Sequence, residues 1–170
     1  RFYQGEGRSI AAVKYRYDAR RHRYESVESG PTLFDTASQG FEASLVRLSG
    51  GDWAVCARSL QRPALWLRTS DPFGKAAGRL YAEKSADRPM VIAPVTVYRC
   101  ADGTIRLLSG DKEGSPYKKP RDPLYCWDVD PDRGFAQTNR RIVFDGRATL
   151  PQVRPEAYVM ADMAKVLPHA

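Results

Sequence analysis

The sequence predicts an all-β protein built from repeated units of four short antiparallel strands. Short runs rich in β-branched and aromatic residues alternate apolar with polar positions, and turns rich in Gly, Asp and Pro separate them. The same order of strands and turns occurs twice along the chain. A unit of four antiparallel strands that recurs at roughly 50 residues is typical of a β-propeller blade. We therefore expect consecutive propeller blades.

Length and composition agree with a folded domain. The chain has 170 residues, is 42% hydrophobic and contains nine Tyr, six Phe and three Trp. No apolar run approaches the roughly 20 residues that span a bilayer, so we expect no membrane partner. The net charge of +7 permits an anionic partner without identifying one. We expect roughly two and a half to three blades, part of a longer propeller, because these residues are too few to close a ring.

The first unit, residues 1–41, is predicted to form the outer half of a blade and the link to the next blade. Ser9–Tyr17 and His22–Val27 form a two-stranded ribbon around a turn, and Glu28–Gln39 is a long connection. Its basic cluster, Arg20–Arg23, is compatible with RNA binding, but solvated charges on a ribbon explain it better. We therefore predict no nucleic-acid partner.

The second unit, residues 42–92, contains the most informative hairpin. Its two strands flank Ser49–Asp52, where glycines supply the positive φ angles that a hairpin turn needs. Ala64–Thr69 is the third strand and Arg79–Glu83 the fourth. The turn sets the register, so a carboxylate, Glu42, and a guanidinium at position 58 fall together at the open end.

The third unit, residues 93–150, repeats this plan. Its predicted strands are Ala93–Arg99, Thr104–Leu108, Leu124–Val129 and Arg140–Phe144. Residues 151–170 start a further blade or form a terminal segment.

Strand direction assigns polar residues to two faces. The top face collects Glu6, Arg8, Glu42, Arg58, Arg62, Arg88, Asp111 and Arg121. The bottom face collects aspartates expected to form turns, namely Asp18, Asp52, Asp71, Asp102 and Asp130. Because a propeller usually keeps its pocket at the upper mouth of its channel, the top face is where we expect a site.

The pattern Glu42-x-x-x-Val46-x-Leu48-x-Gly50, closing on Arg58, resembles the sialidase (neuraminidase) superfamily. The segment Trp66–Gly74 looks like a degenerate form of that family's Asp-box turn. The resemblance implies a five- or six-bladed propeller that hydrolyses a terminal glycosidic bond, and an exported location. It also implies that Glu42 polarises a tyrosine nucleophile and that Arg58 helps to grip a substrate carboxylate.

The candidate catalytic residue is therefore Glu42, and a carbohydrate is the expected partner. The candidate substrate-binding residues are Arg58, Arg62, Arg121, Asp111 and Glu6. Each has a structural alternative as an ion pair, a loop brace or a turn former. Two other functions stay open: a non-catalytic carbohydrate-binding propeller, and a propeller scaffold for protein partners.

Cysteine and histidine patterns support neither a cofactor nor a metal site. Cys56, Cys100 and Cys126 form no CxxC motif, and we expect buried free thiols. The chain contains only two histidines, His22 and His169. A site built from several histidines is therefore not expected.

Overall fold

The computed structural model of the protein describes residues 10–34, 40–59, 63–74, 79–81, 93–119 and 121–149. The strands within these ranges are β1 (Ile10–Asp18), β2 (Arg23–Phe34), β3 (Gly40–Arg47), β4 (Trp53–Ser59), β5 (Leu65–Thr69), β6 (Arg79–Tyr81), β7 (Thr96–Arg99), β8 (Ile105–Gly110), β9 (Leu124–Asp130) and β10 (Ala136–Phe144). A 3-10 turn at Pro131–Arg133 joins β9 to β10, and one helical turn, α1 (Gly146–Thr149), follows. The predicted all-β class is confirmed for these residues.

The strands form three antiparallel sheets in simple chain order. β1 and β2 make a two-stranded ribbon, β3–β6 make a four-stranded sheet (sheet I), and β7–β10 make a second one (sheet II). In each sheet, strands adjacent in sequence pair with each other. The two predicted four-strand units and the preceding ribbon therefore exist. The described residues do not close into a ring, so the propeller itself stays a prediction.

The predicted connection at Glu28–Gln39 is wrong over its first half, because β2 continues through Phe34. The register of the ribbon shifts opposite Ala12, and Pro31 lies in the resulting bulge. Proline lacks the N–H that a regular ladder position requires, and a bulge is one of the places in a sheet that tolerate it. The local Ser-Gly-Pro signal therefore marks an irregularity within a strand.

Two smaller boundaries also differ from the prediction. β10 begins at Ala136 and not at Arg140. The Asp130 carboxylate caps the 3-10 turn by accepting two backbone N–H groups, and the chain reverses so tightly that Ala136 already pairs with Asp130. His22 belongs to the ribbon turn, with φ at +49°, and does not open β2.

Sheets I and II pack face to face around one core. Alternate residues of both sheets point into it, as the two-residue period of a strand requires. Sheet I and the loops at its ends contribute Val46, Leu48, Ala54, Cys56, Ala64 and Trp66; sheet II and its flanking loops contribute Val95, Val97, Ile105, Leu107, Tyr125, Trp127, Val129 and Phe135. The rings of Trp66 and Phe135 stack across the interface, 4.7 Å apart and 6° from parallel.

The ribbon covers the other face of sheet I. Phe34 is buried there against Val55, Ala57, Leu65 and Leu67, with Ile10 and Leu33 packed around them. Sheet I is therefore enclosed on both sides. This explains why four consecutive residues of β4, from position 54 to position 57, are all buried.

The two sheets point the same way, which gives the stack a turn end and an open end. A cleft of about 380 Å³ lies between their turns and is lined by residues of both, including Gly50, Gly103 and Pro131. Arg68 bridges the turns by donating to Asp52 at 2.8 Å and to Asp132 at 3.0 Å. The opposite ends of β3, β4, β7 and β8 form the open end.

The aspartates predicted to form turns largely do so. Asp18, Asp71, Asp102 and Asp130 each accept a backbone N–H two residues ahead. Among them, the backbone hydrogen bond from Thr104 lowers the pKa of Asp102. Asp52 differs, because its carboxylate pairs with the guanidinium of Arg68.

Candidate functional site

Glu42 and Arg58 meet at the open end of sheet I, as the hairpin register predicts. The Arg58 guanidinium donates from Nη1 to Oε2 of Glu42 at 2.6 Å. The Glu42 side chain is 36% exposed and that of Arg58 is 17% exposed. The pair is thus anchored in the fold on the arginine side and open to solvent on the carboxylate side.

A β-bulge aims the Glu42 carboxylate. Phe41 pairs with Arg58 and Ala43 pairs with Ala57, so Glu42 is an extra residue that has no partner in β4. Its φ is +41°, in the left-handed region that a non-glycine residue rarely adopts. Such a conformation costs on the order of 1–3 kcal/mol, and residues of this kind cluster at functional sites. The bulge is a feature of the structure that the sequence pattern did not predict.

Arg58 lies on the face of β4 that looks toward sheet II. It continues the alternation of Ala54 and Cys56, which belong to the core between the sheets. Its Nε is buried and has no hydrogen-bond partner among the described residues. The guanidinium therefore donates to Glu42 through one terminal nitrogen, Nη1, whereas its Nε is buried in the protein. The next residue, Ser59, is fully buried, and its Oγ likewise lacks a partner in the described part of the chain.

Asp111 follows β8 at the open end of sheet II. It is only 3% exposed, and its Oδ2 accepts from Nη1 of Arg140 at 3.0 Å. The Arg140 guanidinium also lies over the ring of Tyr125, 5.0 Å from its centre. Gly114 packs so closely on this pair that a Cβ there would overlap both side chains. Burial raises the pKa of Tyr125.

A second group of one Asp, one Arg and one Tyr side chain lies in the same region. Asp122 is buried, accepts the backbone N–H of Gly146 at 3.0 Å, and faces Nε of Arg147 at 3.9 Å. Arg147 in turn lies 4.5 Å from the ring centre of Tyr117. The Tyr117 hydroxyl donates to Asp145, and this hydrogen bond raises the pKa of Tyr117. Both groups tie the loop between β8 and β9 to β10 and to the residues that follow it.

The structure brings together only part of the predicted set. Glu42 contacts Arg58, whereas Asp111 contacts Arg140, which the sequence did not single out. Arg121 lies partly buried in the braced loop, next to the bridge between Lys119 and Asp122.

No hydrogen bond or ion pair between described residues joins the Glu42–Arg58 pair to Asp111. The remaining candidates, Arg62 and Glu6, lie outside the described residues, as do Arg8 and Arg88.

The described side chains give no sign of a metal centre. Nowhere in these ranges do three or more His, Cys, Asp or Glu side chains group as metal ligands. The thiols of Cys56 and Cys126 are buried as predicted and form no disulfide, and Cys100 is only partly buried. Within the described residues, no helix has the length and apolar character needed to cross a membrane.

Compared with known proteins, the sequence matches no family model and no curated protein.

Proposed function

We propose that sheets I and II are neighbouring blades of a β-propeller and that the ribbon is the outer half of the blade before them. Their stacking order supports this proposal: the ribbon, sheet I and sheet II follow one another in sequence and pack face on face. The first strands of the two sheets are also adjacent, since Ser44 Oγ on β3 accepts the backbone N–H of Val97 on β7 at 2.9 Å. In a propeller such strands line the central channel.

The function that this arrangement supports best is glycoside hydrolysis at the open end, as in sialidase-like propellers. Water cleaves the bond between the anomeric carbon and the glycosidic oxygen, and carboxylates assist the proton transfers. Glu42 supplies one such carboxylate, and Arg58 positions it and offers donors to the substrate. The observation that carries the proposal is the strained bulge, which holds a partly exposed carboxylate 2.6 Å from a largely buried guanidinium.

A second candidate, carbohydrate binding without hydrolysis, is favoured by the state of Asp111. Glycosidases of the usual kind need two carboxyl groups flanking the scissile bond. Of the carboxylates that the sequence assigns to the top face, Asp111 is the other one within the described ranges, and Arg140 already engages its buried carboxylate. If no further carboxylate serves the site, the Glu42–Arg58 pair binds sugar hydroxyls through one acceptor and one forked donor.

The test is to assay the full-length protein on a panel of chromogenic glycosides beside Glu42→Gln. This change keeps the shape of the side chain and removes its charge and basicity. We expect kcat/KM to fall at least about 100-fold, the lower range for losing a general acid–base group. The matched control is Glu28→Gln, which removes an exposed ribbon carboxylate paired with Lys14 at 3.8 Å and should leave the rate unchanged.

The outcomes separate the two candidates. Hydrolysis that survives Glu42→Gln would refute the catalytic role of Glu42. Saturable sugar binding without turnover, weakened by Glu42→Gln or Arg58→Lys, would establish the second candidate instead. Arg58→Lys is informative because lysine keeps the charge but loses the fork that binds two acceptors.

A further inference from the structure

Part of the ribbon extends beyond the turn end of sheet I. Gly30 packs directly on the backbone carbonyl of Pro72, and the ammonium of Lys14 lies 5.9 Å from the centre of the Phe73 ring. Both contacts are with the loop that ends β5. Residues 15–28, here called the arm, therefore continue past this loop.

One face of the arm carries three exposed tyrosines. Tyr15 and Tyr17 alternate on β1, and Tyr17 pairs with Tyr24 on β2. Their exposed fractions are 60%, 49% and 72%, respectively. The rings of Tyr17 and Tyr24 lie 5.2 Å apart at 52°, and the Tyr17 hydroxyl is 3.3 Å from Nδ1 of His22. Ser26, opposite Tyr15, adds a hydroxyl to this tyrosine face.

The charged residues of the ribbon lie mainly on its other face, and most are tied to one another. Lys14, which contacts sheet I, pairs with Glu28 at 3.8 Å. Arg21 and Arg23 both pair with Glu25, at 3.0 and 2.9 Å. The tyrosine face is thus polar only through hydroxyl groups and the neighbouring imidazole.

This segregation of charge argues against a nucleic-acid ligand. Proteins that bind single strands combine stacking aromatics with a groove of cations that follows the phosphates. Here Arg21 and Arg23 are held by Glu25 on the face away from the tyrosines.

Area argues against a second protein as the occupant. With a full surface of about 200 Å² for each tyrosine, the exposed fractions correspond to roughly 350–400 Å² in total. A standard interface needs about 800 Å² from each partner.

We propose that the tyrosine face of the arm binds a polysaccharide chain. Sugar rings present apolar C–H faces that pack on aromatic rings, and their hydroxyls match the hydroxyls of Tyr and Ser. Tyr15 and Tyr17 are two residues apart on one strand, about 7 Å, so their rings can contact different sugar rings of one chain. The arm lies at the turn end and the Glu42–Arg58 pair at the open end, so this site requires no hydrolysis and goes beyond the proposed function.

The experiment is affinity electrophoresis of the full-length protein in gels containing soluble arabinoxylan, galactomannan or pectin. At least one polysaccharide should retard the protein. Combined Tyr15→Ala, Tyr17→Ala and Tyr24→Ala should weaken this retardation at least ten-fold, whereas the three Tyr→Phe changes should keep most of it. Glu42→Gln should leave it unchanged, which separates this site from the proposed catalytic one. Arg23→Ala, on the opposite face, is the matched control.

Several results would overturn the proposal. Retardation by none of the three polysaccharides would do so, as would retardation that survives the triple Tyr→Ala change. Stronger binding of a single-stranded oligonucleotide, lost with Arg23→Ala, would assign the arm to nucleic acid. A dimer in sedimentation that the triple change dissociates would assign it to a second copy. Circular dichroism of the triple variant shows whether the sheets are intact. If they are not, the single change Tyr24→Ala is measured instead, and retardation equal to that of the unchanged protein would refute the proposal.

Discussion

Replacing Phe135 with alanine removes the ring that joins sheet II to sheet I. Phe135 is fully buried and stacks on Trp66, which is also fully buried. It has a φ of +63° and follows Gly134, whose φ is +62°. The chain therefore places a bulky residue in a conformation that suits glycine in order to insert its ring between the sheets.

The expected cost follows from these contacts. Burying about 200 Å² of aromatic surface stabilises by about 5 kcal/mol at about 25 cal/mol per Å². A stacked aromatic pair adds about 0.5–1.5 kcal/mol. Because the cavity collapses in part and unfolded chains already bury some surface, we expect Phe135→Ala to lower the free energy of unfolding by about 3–5 kcal/mol.

A matched variant isolates the backbone contribution. Phe135→Gly removes the same ring but relieves the left-handed strain, which costs a non-glycine residue roughly 1–2 kcal/mol. The glycine variant should therefore be about 1 kcal/mol more stable than the alanine variant, the reverse of the usual order in strands. Tyr15→Ala, at a position that is 60% exposed, should change stability by no more than about 0.5 kcal/mol.

Urea denaturation followed by tryptophan fluorescence measures all three variants. Trp66 lies in the stack and reports directly on it. A loss below about 1 kcal/mol for Phe135→Ala would show that the stack does not hold the sheets together. Equal stabilities of the alanine and glycine variants would show that the positive φ carries no cost.

Two further predictions concern sheet II. Gly114→Ala should lower the free energy of unfolding by about 1–3 kcal/mol, because its Cβ would overlap the buried Asp111 carboxylate and the Arg140 guanidinium that pairs with it. Gly50→Ala, with open space around it, should be nearly neutral in the same urea titration. An equal effect of the two changes would contradict this. The hydrogen bond from Asn139, with help from Arg141 and Arg106, lowers the pKa of Asp128. The stability that the ionised Asp128 carboxylate contributes is therefore fully present above its ordinary pKa of about 3.9, and it is lost as the pH falls through the lower pKa of the folded state. Unfolding free energies measured from about pH 5 to about pH 2 should fall less steeply for Asp128→Asn, and an unchanged slope would show that Asp128 does not carry this dependence.

The strands and their pairing were predictable because the relevant signals are local. Alternating apolar residues identify a strand, and turn residues such as Gly51 and Gly103, both at positive φ, fix which strands pair. Asp102 and Asp130 indicate the turns in the sequence, because an aspartate carboxylate at the start of a turn accepts backbone N–H groups. Glu42 and Arg58 come together for the same reason, since a short hairpin brings its two ends together.

What could not be predicted depends on irregular or distant pairing. The bulge at Glu42 adds one residue to a strand, which leaves the surrounding alternation readable but changes where the side chain points. Asp111 and Arg140 are 29 residues apart, and a register shift in β10 helps to place them together. The sequence pattern does not predict the extension of β2 through Pro31, because the proline is accommodated by a bulge that depends on pairing with β1.

The enclosure of sheet I has a consequence for the mobility of the two proposed sites. Arg58 sits on β4, which has a paired strand on each side and covered faces along most of its length. Freeing this arginine would require disrupting the sheet, so amide exchange in β4 should approach the global unfolding limit. The arm has a single pair of strands and mostly exposed residues, so it can open alone. The proposed site at the open end would therefore be rigid and select ligands by shape, whereas the proposed site on the arm would be compliant and could follow an irregular surface.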